Sequence, residues 1–186
     1  INNKKRWCLW LVGVSPAELR KMPLVMQRVE ACKVDRENAP DAGRRKLAER
    51  PTQFRETNNP DTFVVVPAVS SERRKYVPIG FLDKETIATN LVITIPNATL
   101  YHFGILTSNV HMSWMRAVCG RLKSDYRYSK DVVYNNFPWP TPTEEQKAKI
   151  ERTAQAILDA RALYPDSSLA DLYDEVTMPP ELRKAH

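Results

Sequence analysis

The residues best suited to chemistry lie in one short stretch, Gly120-Arg121-Leu122-Lys123-Ser124-Asp125-Tyr126-Arg127-Tyr128-Ser129-Lys130, dense in charge and aromatic rings. If it is extended, side chains alternate between two faces. Arg121, Lys123, Asp125 and Arg127 then share one face, and Leu122, Ser124, Tyr126 and Tyr128 the other. A lysine ammonium donates to guanine O6 and N7 while a carboxylate accepts from cytosine N4, so Lys123 and Asp125 together suit one G·C pair in a major groove. Arg121 and Arg127 beside them suit backbone phosphates. The residue types leave a second possibility open, an exposed ion pair worth little.

A second cationic segment, Ser70-Ser71-Glu72-Arg73-Arg74-Lys75, has the composition of a phosphate clamp. Hydroxyls and cations such as Ser71, Arg73, Arg74 and Lys75 fix a protein on the nucleic-acid backbone without reading sequence. A solvated turn is the alternative. Trp7, Trp10, Trp114 and Trp139 could stack on bases, but aromatics set in apolar runs usually build core, and core is the expectation for all four. Cys8, Cys32 and Cys119 are odd in number and form no CxxC pair, and His102, His111 and His186 lack close carboxylate or cysteine companions. Neither a disulfide framework nor a metal site is expected, which fits a reducing, cytoplasmic compartment.

Catalytic constellations are missing. Only five glycines occur, Gly13, Gly43, Gly80, Gly104 and Gly120, and none forms a GxGxxG or GxxxxGK[ST] loop able to cradle a nucleotide-like cofactor. Neither Asn59-Pro60-Asp61 nor Met178-Pro179-Pro180-Glu181 makes the Pro-Pro-aromatic loop of amino-methyltransferases. Glu145-Gln146-Lys147 is the sole ExK and precedes Pro165-Asp166, the wrong order for a metal-dependent nuclease. No strained GxSxG nucleophile turn is present. The expectation is a binding module with no catalytic residues, metal or cofactor of its own.

Charge says what it would bind. Residues 1–140 carry 22 Lys and Arg against 13 Asp and Glu, whereas residues 141–186 carry 6 against 9. A basic body therefore precedes an acidic tail, and a basic body attracts a polyanion such as nucleic acid by counterion release. A well-solvated lysine-rich surface would look the same by charge alone. No apolar run approaches the roughly 18 residues of a membrane span, so no membrane partner is expected.

The elements that must position these segments alternate in kind. Arg6 to Val12 reads as a buried strand ended by Gly13. Ser15-Pro16-Ala17-Glu18 supplies a capping box for a helix carrying Leu19, Met22, Met26 and Val29, which Pro23 should kink or divide. A basic helical piece runs from Ala42 to Glu49. Strands are expected at Phe63–Val66, Tyr76–Leu82 and Leu91–Ile95, with the Ser70–Lys75 segment as a hairpin loop or exposed strand end. Leu100 to Leu106 is ambiguous, Ser108 to Val118 reads as a helix closed by Gly120, and Asp131–Tyr134 as a further strand. Prolines at 138, 140 and 142 break regular structure where the charge changes sign, which sets a boundary at 140. Thr143 then caps a helix whose apolar stripe is Ile150, Ala154, Ile157, Leu158 and Leu163, with shorter helices around Leu169–Tyr173 and from Pro179. The expected class is α+β: a mixed or antiparallel sheet with packed helices over 1–140, then a small helical segment over 141–186. A start at Ile1 and a last helix barely begun imply a piece of a longer chain.

Taken together, several of these segments are similar to the C-terminal half of MmeI-like DNA methyltransferases. The resemblance rests on Arg6-Trp7-Cys8-Leu9-Trp10-Leu11, Ser70 through Gly80, Ser108 through Tyr128, Tyr134-Asn135-Asn136-Phe137-Pro138-Trp139-Pro140, and Leu169-Ala170-Asp171-Leu172-Tyr173 with Met178-Pro179-Pro180-Glu181-Leu182, in that order along the whole chain. It implies a target recognition domain attached to an adenine-N6 methyltransferase of restriction-modification type. That other domain would hold S-adenosylmethionine and act on a flipped adenine in duplex DNA. It also implies base-reading positions just before the Ser-Ser-Glu-Arg-Arg motif, in the strand after it, and after Gly-Arg: Ala68, Asn90, Lys123 and Asp125. Ala68 departs in chemistry, since its methyl can only touch a thymine methyl or leave room. Two other classes stay in view. The aromatics around Tyr126 and Tyr128 would suit RNA or a single strand, and the amphipathic acidic tail would suit a protein-interaction scaffold.

Overall fold

The protein is described by a computed structural model over residues 6–186, which form two compact units, 6–58 and 59–186. The first unit is helical: α1 (Pro16–Arg20), α2 (Pro23–Glu37), α3 (Ala42–Lys46) and a 3-10 turn at Leu47–Glu49. Ser15 closes the capping box, its Oγ accepting from the Glu18 amide at 3.2 Å while Glu18 Oε2 accepts from the Ser15 amide at 3.0 Å. Pro23 divides the helix, because it lacks the amide needed mid-helix and is tolerated only in a first turn. Arg36 ties the end of α2 to the 3-10 turn and the loop after it by donating to the carbonyls of Leu47, Arg50 and Gln53 at 2.8–3.0 Å.

The expected strand at Arg6–Val12 does not form. A strand needs a partner to satisfy its backbone, and every regular element of this unit is helical. The run is irregular instead; Trp10 stacks on Phe54 with ring centroids 5.7 Å apart, and Trp7, expected in a core, is 94 % exposed.

The second unit holds six strands, β1 (Thr62–Pro67), β2 (Val69–Ser70), β3 (Gly80–Asp83), β4 (Val92–Pro96), β5 (Gly120–Leu122) and β6 (Asp125–Arg127). Its helices are α4 (Leu100–Thr107), α5 (Asn109–Val118), α6 (Glu144–Ala162), α7 (Leu169–Leu172) and α8 (Pro180–Ala185). The fold is α+β. The strands make two antiparallel sheets, ordered β3-β1-β4 and β2-β6-β5. In the first, Val64 lies opposite both Phe81 and Ile95, which makes the valine-rich β1 the central, buried strand. Ala68 joins the two sheets: its amide donates to the Leu91 carbonyl and its carbonyl accepts from the Tyr128 amide, both at 2.9 Å.

Three local expectations are corrected. Of the strand expected at Tyr76–Leu82, only the part from Gly80 pairs; Tyr76 to Ile79 are buried but outside any ladder. Pro78 has no amide to donate, and the Val77 amide turns instead to Met112 Sδ at 3.4 Å. Asp131–Tyr134 belongs to a π-helical turn, Lys130–Tyr134, with Val133 fully buried and its carbonyl accepting from Trp114 Nε1 at 2.9 Å. A four-residue apolar run fits either a strand or a buried helical turn. Gly120 does not cap α5 in a left-handed conformation. The helix ends in extended backbone at Cys119, and Gly120 opens β5.

Behind the sheets, α6 buries Ala154, Ile157 and Ala160 in the same core as Val64, Phe103 and Met112. Leu163, expected on that stripe, comes after the last turn and is 63 % exposed. Thr143 and Gln146 form the capping box that starts α6. Among the described residues no helix is long and apolar enough to cross a membrane.

Candidate nucleic-acid interface

The stretch from Gly120 to Arg127 folds back on itself at Lys123-Ser124, a two-residue loop between the opposed residues Leu122 and Asp125. Such a loop matches the twist of its strands only when a loop residue takes positive φ, the position usually given to glycine or asparagine. Lys123 takes it here, at φ 57°. Because the chain turns, the single alternation expected across the stretch is broken. Asp125 and Arg127 still share one face, and Tyr126 and Tyr128 the other, but Leu122 joins the first and Arg121 the second.

The inner face is core and rim. Tyr126 and Tyr128 are buried, Ser70 is buried opposite Tyr126, and Arg121 lies across Tyr126 with its guanidinium 4.1 Å from the ring centroid. Arg121 also donates to the Ser124 carbonyl at 2.9 Å and lies 3.9 Å from a Glu72 carboxylate oxygen. It is held by the hairpin. Beneath, the Tyr128 hydroxyl and His111 Nε2 are 2.9 Å apart in the interior. Burial pushes the Tyr128 hydroxyl upward and the His111 imidazole down to about 4, so both are neutral near pH 7.

The outer face carries what could meet a ligand. One row across the sheet reads Val69, Arg127, Gly120, and the next row pairs Asp125 with Leu122. Arg127 has no carboxylate within 4 Å among the described residues, and neither does Lys123 at the hairpin tip. Asp125 accepts one hydrogen bond, from the Glu72 amide at 3.3 Å, which anchors the cationic segment beside the hairpin. The two candidate segments therefore meet.

Within that cationic segment the side chains diverge. Ser71 Oγ accepts from the Arg73 amide at 3.3 Å, and the Arg73 side chain is exposed. Lys75 is exposed, its ammonium 5.5 Å from the Tyr76 ring centroid. Arg74 is half-buried, donates to the Ala170 carbonyl at 3.4 Å, and has an unpartnered Nε. An open cleft of about 260 Å³ separates Ser71, Arg73 and Arg74 from Asp174, Glu175 and Val176. Opposite charges line its two sides.

Ala68 and Asn90 are near one another, since Leu91 bonds Ala68 and Asn90 precedes it. Asn90 is exposed in the turn before β4 rather than within a strand. Ala68, half-buried, leads directly into Val69 opposite Arg127. Ala68 thus links the turn that holds Asn90, through Leu91, to the second sheet, whose hairpin carries Asp125 on β6 and Lys123 at its tip. Val69 and Gly120 on the outer face went unmarked by residue type, and Leu122 is there rather than on the packing face expected from alternation. The missing signal was the turn, because a lysine is not a residue that announces positive φ.

No cluster of His, Cys, Asp and Glu suited to a metal occurs among the described residues, and the three cysteines are free. Residues 1–141 match the family model described as the MmeI target recognition domain, and residues 142–186 match that of the MmeI C-terminal domain. Over its whole length the chain is 43 % identical to DNA methyltransferase A of Bacillus subtilis (strain 168), of which it spans 21 %. A solved structure of the Type IIL restriction-modification enzyme MmeI in complex with DNA superposes on the whole chain with a TM-score of 0.95 at 48 % identity, the chain covering 25 % of it.

Proposed function

Because this chain belongs to the family of MmeI target recognition domains, joined to that family's C-terminal domain, we propose that it is the duplex-reading part of a larger adenine-N6 DNA methyltransferase of restriction-modification type. It chooses the site, and the methyltransferase domain of the same polypeptide, working in the cytoplasm, transfers the methyl group from S-adenosylmethionine to a flipped adenine. The residues of this chain do not fit that cofactor, since its five glycines are isolated from one another and form no phosphate-cradling loop. No catalytic or metal role falls to them.

The observation that carries this reading is the outer face of the second sheet. Charged side chains of both signs project there without partners to neutralise them, and the cationic segment is bonded to its edge through Glu72 and Asp125. Lys123, Asp125, Asn90 and Ala68 take the base edges. Ser71, Arg73, Arg74, Lys75 and Arg127, with Arg121 reaching from the half-exposed rim of the inner face, take phosphates and set the register on the duplex. Recognition of RNA or a single strand is less well supported, because Tyr126 and Tyr128 are buried and offer no platform for unstacked bases.

Mapping methylated adenines in DNA from cells expressing the full-length protein gives the recognised sequence. Exchanging the charges, Lys123→Asp with Asp125→Lys, is expected to change the preferred base at one position and leave the others. An unchanged methylation site would refute the assignment. Methyl transfer by these 186 residues alone would refute the division of labour.

A further inference from the structure

Leu122 is the odd residue of the outer face. It is 53 % exposed on an edge strand, directly opposite Asp125 and next to the hairpin-tip Lys123, and it takes no part in the hydrophobic core. Two residues back on the same face is Gly120. Its φ is not in the left-handed region, and a Cβ built on it would meet nothing nearer than Arg127 Cβ at 4.0 Å. Neither backbone nor packing therefore demands glycine there. What glycine leaves is an open, side-chain-free stretch of exposed strand, followed on the same face by Leu122 and flanked across the strand pair by the Arg127 stem. A residue without a side chain at the start of an exposed strand lets another molecule approach the backbone closely.

We propose that Leu122 and Gly120 form a specificity-determining contact for the C5 methyl group of one thymine in the bound duplex, an inference that rests on the function proposed above. Among the groups a major groove presents, the thymine methyl is the apolar one, and every other edge group is a donor or an acceptor. Bare strand backbone at Gly120 lets that group approach, and the exposed Leu122 further along the same face offers it an apolar contact. Asp125, across the strand pair from Leu122, is placed to accept from an amino group of the same or the adjoining base pair. Val69 also lies on the outer face, 39 % exposed, but on the far side of Arg127 with no glycine beside it.

The test uses the full-length protein and duplexes of its recognised sequence in which each thymine in turn is replaced by deoxyuridine, removing the methyl and keeping every hydrogen-bonding group. One replacement is expected to weaken binding about fourfold, the worth of one buried methyl group. Leu122→Ala should bind the thymine and uracil duplexes alike, at the weaker level, while Val69→Ala keeps the discrimination. Gly120→Ala, free of strain, should fold normally and weaken the thymine duplex more than the uracil one. If no replacement matters, or Leu122→Ala still discriminates while binding is otherwise intact, the methyl contact is overturned and the reading of the domain stands. If no duplex binds at all, the reading of the domain fails and the methyl contact with it.

Discussion

His111 has no exposed surface, its Nε2 bonded to Tyr128 and its Nδ1 buried without a partner, so a proton added to it would enter an apolar interior. Its folded-state pKa of about 4 is below the ordinary value of 6.5, and burial is the cause; His186, stacked on Tyr76 with centroids 3.9 Å apart, is lowered to about 4 as well, again chiefly by burial. A depressed folded-state pKa means that the unfolded chain takes up protons first as pH falls. Stability is thus complete above about pH 6.5 and lost progressively toward pH 4, by as much as about 3 kcal/mol for each histidine. Urea denaturation across that range should show the loss, and His111→Gln should remove His111's share of the slope; an equal slope in the variant would show that His111 is not responsible. Lys123 shows the opposite kind of cost. A left-handed lysine is strained, so Lys123→Gly should be neutral or stabilising by up to about 1 kcal/mol in denaturant melts while the full-length protein loses base discrimination at one position. A melt that falls markedly would mean the lysine is held by contacts that serve the fold.

Helix α4 meets α6 at Gly104, where an added Cβ would lie 2.8 Å from Ile150 Cγ2 and 3.2 Å from the Ile150 carbonyl oxygen. The methyl could rotate away, but the carbonyl belongs to a helix and cannot. Gly104→Val should therefore cost about 2–3 kcal/mol by overpacking, beyond anything gained in helix propensity, and a calorimetric melt at unchanged temperature would refute the close approach. This contact also shows what was legible in the sequence. The capping boxes at Ser15, Thr143 and Ser168 with Asp171 obey a local chemical code, and the first two were expected from their residues alone. The pairing of β2 with β6 was not legible, because Val69-Ser70 is two residues long and its partner lies more than fifty residues on. Residue types marked Lys123, Asp125 and the cationic segment. Which face each side chain takes depended on a turn whose only sign is a lysine at positive φ. For the same reason Arg121 could not be separated from Arg127, and Leu122, expected on the packing face with Tyr126, lies on the outer face opposite Asp125. Arg6–Val12 failed for a different reason: its apolar pattern is that of a strand, but a pattern supplies no partner edge.

At the scale of the molecule, charge and packing give opposite answers about the last 46 residues. By charge, the acidic tail opposes binding: residues 141–186 carry 9 carboxylates against 6 cations, and Asp174 and Glu175 face Arg73 and Arg74 across their shared cleft. By packing they are indispensable, since Ala154, Ile157, Ala160, Leu172, Tyr173, Met178 and Leu182 belong to the same core as Val64, Phe103 and Met115. Packing wins, because losing the five large core side chains at roughly 1.5–3 kcal/mol each is comparable to the whole stability of an ordinary domain. A chain ending at residue 140 should therefore lose cooperative unfolding rather than bind DNA more tightly. The electrostatic part is separable by keeping the core and removing the charges. Asp174→Asn with Glu175→Gln should leave the melt nearly unchanged and tighten duplex binding severalfold at low salt. If the five proposed cations each neutralise one phosphate, the slope of log affinity against log salt is about −4.5, so the gain should shrink steadily as salt screens the cleft. A truncated chain that melts cooperatively, or a double variant that binds no better at low salt, would mean that the tail's charges and its packing have been assigned the wrong way round.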